Sequence, residues 1–219
     1  MRPTSAIDRR QDPATLRVVP DDQDPDKQSL LIYYPSVVEQ SEYVLPRVKI
    51  ESGAKSAVDP NEEKTIVPYV GAELPQSNAL SVTRVTTIHP ERTFLDKVLI
   101  LHRMTFYFEA RGAQRGDGRM SRHYYDVHKL VGFAIGEKGC HDDALIEDCV
   151  SHARMFFYRN HTGLHQAKRG SFRLRPSEKM LDPLRKDYDA MSTMIFGEVP
   201  TFESILESVT RAEERLNAV

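Results

Sequence analysis

Tryptophan is absent from the 219 residues, cysteine occurs only twice, and no apolar run approaches the ~20 residues a membrane-spanning helix needs. Two cysteines, Cys140 and Cys149, give no basis for a disulfide scaffold and fit a reducing compartment. The N-terminus has no apolar core of a secretion signal, so the chain reads as soluble and cytoplasmic, without a membrane partner. Charge of one sign is lacking too. With 30 Lys and Arg against 32 Asp and Glu, the net charge is −2, which excludes a strongly basic nucleic-acid wrapper. Any RNA contact has to come from a local cluster. His141 and His152 make a loose set with the cysteines, but the spacing matches no common zinc finger, and Cys149 sits among Leu145, Ile146 and Val150 like a small core residue.

Apolar residues make up 40% of the chain, enough for a core of its own. Residues 1–15 are polar and predict poor order. Short β-rich runs separated by turn signals follow at 15–19, 29–34, 43–51, 65–70 and 80–88. After Pro90 the period changes, predicting helices over 91–111, 121–136, 142–158, 177–196 and 201–218. The fold class is therefore α+β. Its expected parts are a β lobe over 16–89 and a helical lobe over 90–219.

Two blocks hold most of the chemistry. In Pro90-Glu91-Arg92-Thr93-Phe94-Leu95-Asp96-Lys97-Val98-Leu99-Ile100-Leu101-His102, Phe94, Val98 and Leu101 repeat at i, i+4, i+7 and predict a core-facing stripe. Thr93 and Lys97 share another face, where the lysine either snorkels past the core edge or addresses an anion. In Met120-Ser121-Arg122-His123-Tyr124-Tyr125-Asp126-Val127-His128-Lys129-Leu130, the residues Arg122, Asp126 and Lys129 recur at i, i+4, i+7 beside the stripe Tyr124, His128, Val131. An Arg–Asp pair four apart is either surface helix support or part of a phosphate-handling site. Between the blocks, the glycine- and arginine-rich stretch 112–119 reads as a connector or as a loop that closes over phosphate. In the last helix Phe202, Ile205, Leu206 and Val209 form a buried stripe behind a Thr201 cap. Its charged face, like His161 and His165, is assigned no chemistry.

These blocks resemble the C-terminal motifs of the AbiEii/AbiGii toxin family of bacterial nucleotidyltransferases, whose members often read P-E-R-T-F-x-E-K-x-x-x-L-H and R-x-S-R-H-x-Y-D-L-x-x-L. The likeness extends upstream through Leu30–Val37 and Pro46–Ser56, and downstream through Gly170–Leu174 and Met194–Phe202, so it runs from about Leu16 to the C-terminus. One family feature is missing. Members open with a Gly-Ser or Gly-Gly turn and a strand bearing Asp-x-Asp. Here Asp22-Gln23-Asp24 and Asp24-Pro25-Asp26 lie in a proline-broken acidic stretch and read as turns, while Asp187-Tyr188-Asp189 falls in a predicted helix.

The chain thus resembles such an enzyme without its first third. The resemblance implies transfer of a nucleotidyl group from a nucleoside triphosphate to an acceptor, which in some relatives is tRNA. Lys97 matches the catalytic lysine that neutralises triphosphate charge, and Asp126 the last acid, which orients the acceptor or a metal-bound water. Arg92, Thr93, Arg122 and Lys129 make up the implied nucleotide- and phosphate-binding set, and Glu51 the implied third carboxylate, a metal ligand. Mg2+ is implied only if the missing carboxylates are supplied, and an antitoxin or a second chain completing the fold is the implied partner. Alone, the chain is expected to be weak or inert. The alternative is a non-catalytic remnant of the fold that binds nucleotide, RNA or a partner.

Overall fold

A computed structural model describes residues 16–24, 26–36, 45–53, 55–69, 81–112 and 119–218. The expected poor order of 1–15 and most of the 112–119 loop fall outside these residues. The architecture is α+β, and the chain divides into two compact units, Met1–Ser56 and Ala57–Val219.

In the first unit, β1 (Arg17–Pro20), β2 (Ser29–Tyr33) and β3 (Arg47–Glu51) form an antiparallel sheet in that order. The β1–β2 connection is organised by carboxylates. Asp24 accepts hydrogen bonds from the amides of Asp26 and Gln28 and from the Ser29 hydroxyl, and Asp21 accepts from the Gln23 amide. The acidic stretch is a side-chain-stapled turn, as its composition suggested. Cross-strand partners share a face, so Val18, Ile32 and Val48 make one row and Pro20, Leu30 and Ile50 the next. Val18, Leu30, Val48 and Ile50 on that face are exposed. On the other face Leu31 is buried, and the Tyr33 ring lies between the guanidiniums of Arg17 and Arg47, 4.1 and 5.9 Å from its centroid.

The second unit opens with an antiparallel ribbon of β4 (Asn61–Ile66) and β5 (Val82–Ile88). β4 begins four residues before the predicted 65–70 strand. Its residues Asn61-Glu62-Glu63-Lys64 are all exposed and carry no apolar alternation; the strand exists through its backbone ladder with β5, which a one-strand pattern cannot reveal. Six helices follow among the described residues: α1 (Pro90–Arg111), α2 (Ser121–Val131), α3 (Ala134–His141), α4 (Asp143–Phe157), α5 (Glu178–Ser192) and α6 (Phe202–Asn217). The single helix expected over 121–136 is in fact α2 and α3, broken at Gly132-Phe133. A Cβ on Gly136 would stand 2.4 Å from the Val131 Cα, so glycine lets α3 fold back tightly on the end of α2.

Helix α1 is the spine. Its Phe94, Leu95, Val98, Leu99 and Leu101 are buried where α2, α3 and α4 pack on it. The Tyr124–Val127–Val131 side of α2 is buried too, with α6 and α5 packed against that helix. Polar pins complete the bundle. His102, fully buried on α1, accepts from the Arg173 amide through Nδ1 (3.1 Å) and therefore donates from Nε2 to the Gly163 carbonyl (3.0 Å). Gly163 has φ +66°, and a Cβ there would sit 2.3 Å from the Phe106 ring, so no other residue fits. Glu213 on α6 accepts from the Leu174 and Arg175 amides and from Arg175 Nε, and so holds the segment after Gly170. No helix among the described residues is long and apolar enough to cross a membrane.

Candidate functional site

Packing of α1 on α2 brings the two sequence blocks together. Lys97 lies one turn past Thr93 at the edge of the buried α1 stripe, and its Nζ meets Asp126 Oδ2 of α2 at 2.8 Å. Their side chains keep 26% and 36% of their surface, so the pair is open to a ligand. Arg122 and Lys129 stand exposed on α2, one turn to either side of Asp126, with no carboxylate partner among the described residues. The start of α2 is fixed by α5: the Asp187 carboxylate accepts from the Arg119 and Ser121 amides, both at 2.7 Å. An aspartate that mimics part of a metal motif in the sequence is instead the cap of the site helix.

His123 is a neighbour the motif reading did not single out. Burial, with help from the Lys97 and Arg122 cations and against Asp126 and Asp187, pushes its pKa down to about 4, so the imidazole is neutral at physiological pH. Its Nδ1 is buried without a hydrogen-bond partner. Its position three residues before Asp126 on one helix is the signal that could have found it. Asp96, beside Lys97 in sequence, has its carboxyl pKa raised by burial, opposed by the charges of Arg92, His152 and Lys97.

Two expected site residues are engaged in pairings of their own. Arg92 is buried and its Nη1 donates to the Asp59 carbonyl and to the Asp148 carboxylate, tying the segment before the β-ribbon and α4 to α1. A guanidinium held in the interior this way is not free for phosphate. Glu51 belongs to the first unit, where its exposed carboxylate pairs with Lys49 at 2.7 Å; Lys49 also reaches Asp21 at 3.1 Å, and these partners raise the lysine pKa.

Among the described residues no three His, Cys, Asp or Glu side chains come together as a metal set. With Asp126 on an ammonium and Glu51 on another, the residues described do not by themselves fit a magnesium site. Cys140 and Cys149 are buried free thiols, their pKa values pushed up by burial to about 11 and about 12, which makes them core residues and poor nucleophiles.

What remains is a cationic surface, Lys97, Arg122 and Lys129, around one carboxylate, on two helices locked by a common core. Such a surface suits a polyanion whose charge an ammonium and a guanidinium share. Comparison with known proteins adds the family. No curated protein and no solved structure matches the chain. The family model described as "Nucleotidyl transferase AbiEii toxin, Type IV TA system" matches residues 3–208, and the chain therefore belongs to the AbiEii nucleotidyl transferase toxin family of type IV toxin–antitoxin systems.

Proposed function

We propose that this chain handles a nucleoside triphosphate at the Lys97–Asp126 pair and transfers its nucleotidyl group to an RNA acceptor, with tRNA as the first to test, as part of a cytoplasmic toxin–antitoxin or abortive-infection system. One observation carries the reading: two residues from separate sequence blocks, 29 apart in the chain, meet at 2.8 Å on a partly open surface. In the reaction an acceptor hydroxyl attacks the α-phosphorus and releases its proton to water, the bond from the α-phosphorus to the oxygen bridging to the β-phosphorus breaks, and pyrophosphate leaves with the electron pair of that bond. Lys97 neutralises triphosphate charge, Arg122 and Lys129 hold its outer oxygens, Thr93 adds a hydroxyl donor, and Asp126 orients the attacking hydroxyl. No step is assigned to a metal. The other partner of this reading is an antitoxin, or a chain that supplies the carboxylates absent here.

The test incubates the chain with each labelled nucleoside triphosphate, magnesium and total RNA. The chain alone should pass label to RNA only slowly, and that transfer should fall by at least about a hundredfold in Lys97→Ala, given that removing one stabiliser of developing charge costs that much. Triphosphate binding without any transfer would favour the non-catalytic remnant, and neither binding nor transfer would end the proposal.

A further inference from the structure

Away from the Lys97–Asp126 pair, the second half of α1 and the end of α4 bring two arginines together without an acid. Arg103 is partly buried, its Nε is buried with no hydrogen-bond partner, and its guanidinium lies over the Phe157 ring, 5.1 Å from the centroid. The other charge that bears on it is Arg159, a second cation, whose guanidinium makes one hydrogen bond among the described residues, to the Tyr158 carbonyl at 2.7 Å. Burial first, and Arg159 second, press the Arg103 pKa down. Other ionic groups on the same two helices are already engaged: Glu109 of α1 pairs with Arg173, and Arg154 of α4 donates to the carbonyls of Leu164, His165 and Ala167. Neither Arg103 nor Arg159 has an ion-pair partner among the described residues.

Two like charges held together with one partly desolvated cost stability unless an anion completes them. The surroundings say which anion. Phe156 and Tyr158 expose 36% and 42% of their surface beside the arginines, and Tyr107 and His161 stack edge to face with centroids 5.0 Å apart. Exposed flat rings interleaved with unpaired guanidiniums match a strand that offers phosphates and unstacked bases in alternation. We propose that this surface, built on Arg103, Phe157, Tyr158 and Arg159, binds an unpaired strand of RNA, with phosphates at the guanidiniums and bases on the rings. Arg103 follows Lys97 by six residues on one helix, roughly 9 Å along its axis but about 120° around it, so this surface lies on another face of α1 from the Lys97–Asp126 pair. The choice of RNA over DNA rests on the transfer reading above; the choice of an unpaired nucleic acid does not.

The test measures binding of labelled oligouridylate to the whole chain by fluorescence anisotropy at low salt, with oligothymidylate, duplex RNA and polyglutamate as parallel probes. Oligouridylate should bind, weaken steeply with salt, and lose about tenfold or more in affinity in the Arg103→Gln/Arg159→Gln double variant. Tyr158→Ala should lose affinity while retaining the salt slope, and Arg103→Lys/Arg159→Lys should restore part of the binding. A circular dichroism melt of each variant removes misfolding as an explanation. Absence of oligouridylate binding by the parent chain, unchanged affinity in folded double variants, or equal binding of polyglutamate or duplex RNA would each overturn the proposal. Oligothymidylate binding as tight as oligouridylate would overturn the choice of RNA. The double variant should retain the parent's heat of binding whichever of the four magnesium nucleoside triphosphates the parent takes. If the parent shows no heat with any of the four but binds oligouridylate through these arginines, the transfer reading fails and this surface stands.

Discussion

The helices and the strands of this protein solve the burial problem differently. Every buried large apolar side chain among the described residues except Leu31 lies from Phe94 onward, in the helices or the segments pinned to them. The three-stranded sheet, by contrast, leaves Val18, Leu30, Val48 and Ile50 uncovered on one face, and β4 is exposed along its whole length. A bundle with its own core holds its side chains in place by packing, whereas a sheet with an exposed apolar face depends on something laid over it. The candidate site follows this division. Lys97, Asp126, Arg122 and Lys129 stand on the packed helices, and Glu51 stands on the bare sheet.

The sharpest test of the contrast is a pair of truncations. Phe94→Ala removes a side chain at 0% exposure and should lower unfolding stability by about 3–5 kcal/mol, while Val48→Ala, at 52% exposure, should stay within about 0.5 kcal/mol in the same urea titration. Equal effects would mean the sheet is covered in solution.

Acid should loosen the helices next. Burial lowers the pKa of His102, His123 and His128, in His123 to about 4, so between that value and the unfolded value near 6.5 the unfolded chain binds more protons than the native one. The stability from keeping these rings neutral is full above about pH 6.5 and declines as pH falls through the window, by roughly 3 kcal/mol for His123 alone. Urea titrations at several pH values should show that decline, and His123→Gln should flatten it.

A smaller loss, about 1–2 kcal/mol, is expected for Arg92→Met, because the clamp on the Asp59 carbonyl disappears while Asp148, 63% exposed, can rehydrate. Its triphosphate binding should persist, whereas a change in affinity with unchanged stability would return Arg92 to the binding set. Asp126→Asn should show the opposite profile: less than about 1 kcal/mol in the melt, since the pair is partly exposed, and a clear loss of transfer.

Helical periodicity was legible because each helix buries one stripe; α1 and α6 lie within two residues of the spans that Phe94-Val98-Leu101 and Phe202-Ile205-Val209 implied. β4 was displaced because a polar strand on an exposed ribbon has no apolar alternation to read, and the break between α2 and α3 depended on a glycine's close approach, which is a tertiary fact. Likewise, a motif residue's chemistry is visible in its letters, but its availability is not. Arg92 and Lys97 stand five apart on one helix, and packing against Asp59 and Asp148 encloses the first while leaving the second at the surface.

By itself the sequence determined the α+β class, the family, and which two blocks carry charge beside an apolar stripe, since periodicity and motif spacing are local properties of the chain. Only the tertiary structure decided that Lys97 meets Asp126, that Asp187 caps the helix bearing it, and that the Arg159 charge bears on Arg103 with no acidic partner among the described residues. Those are pairings between residues far apart in the chain, fixed by how α1 packs against its neighbours, and no local pattern encodes them.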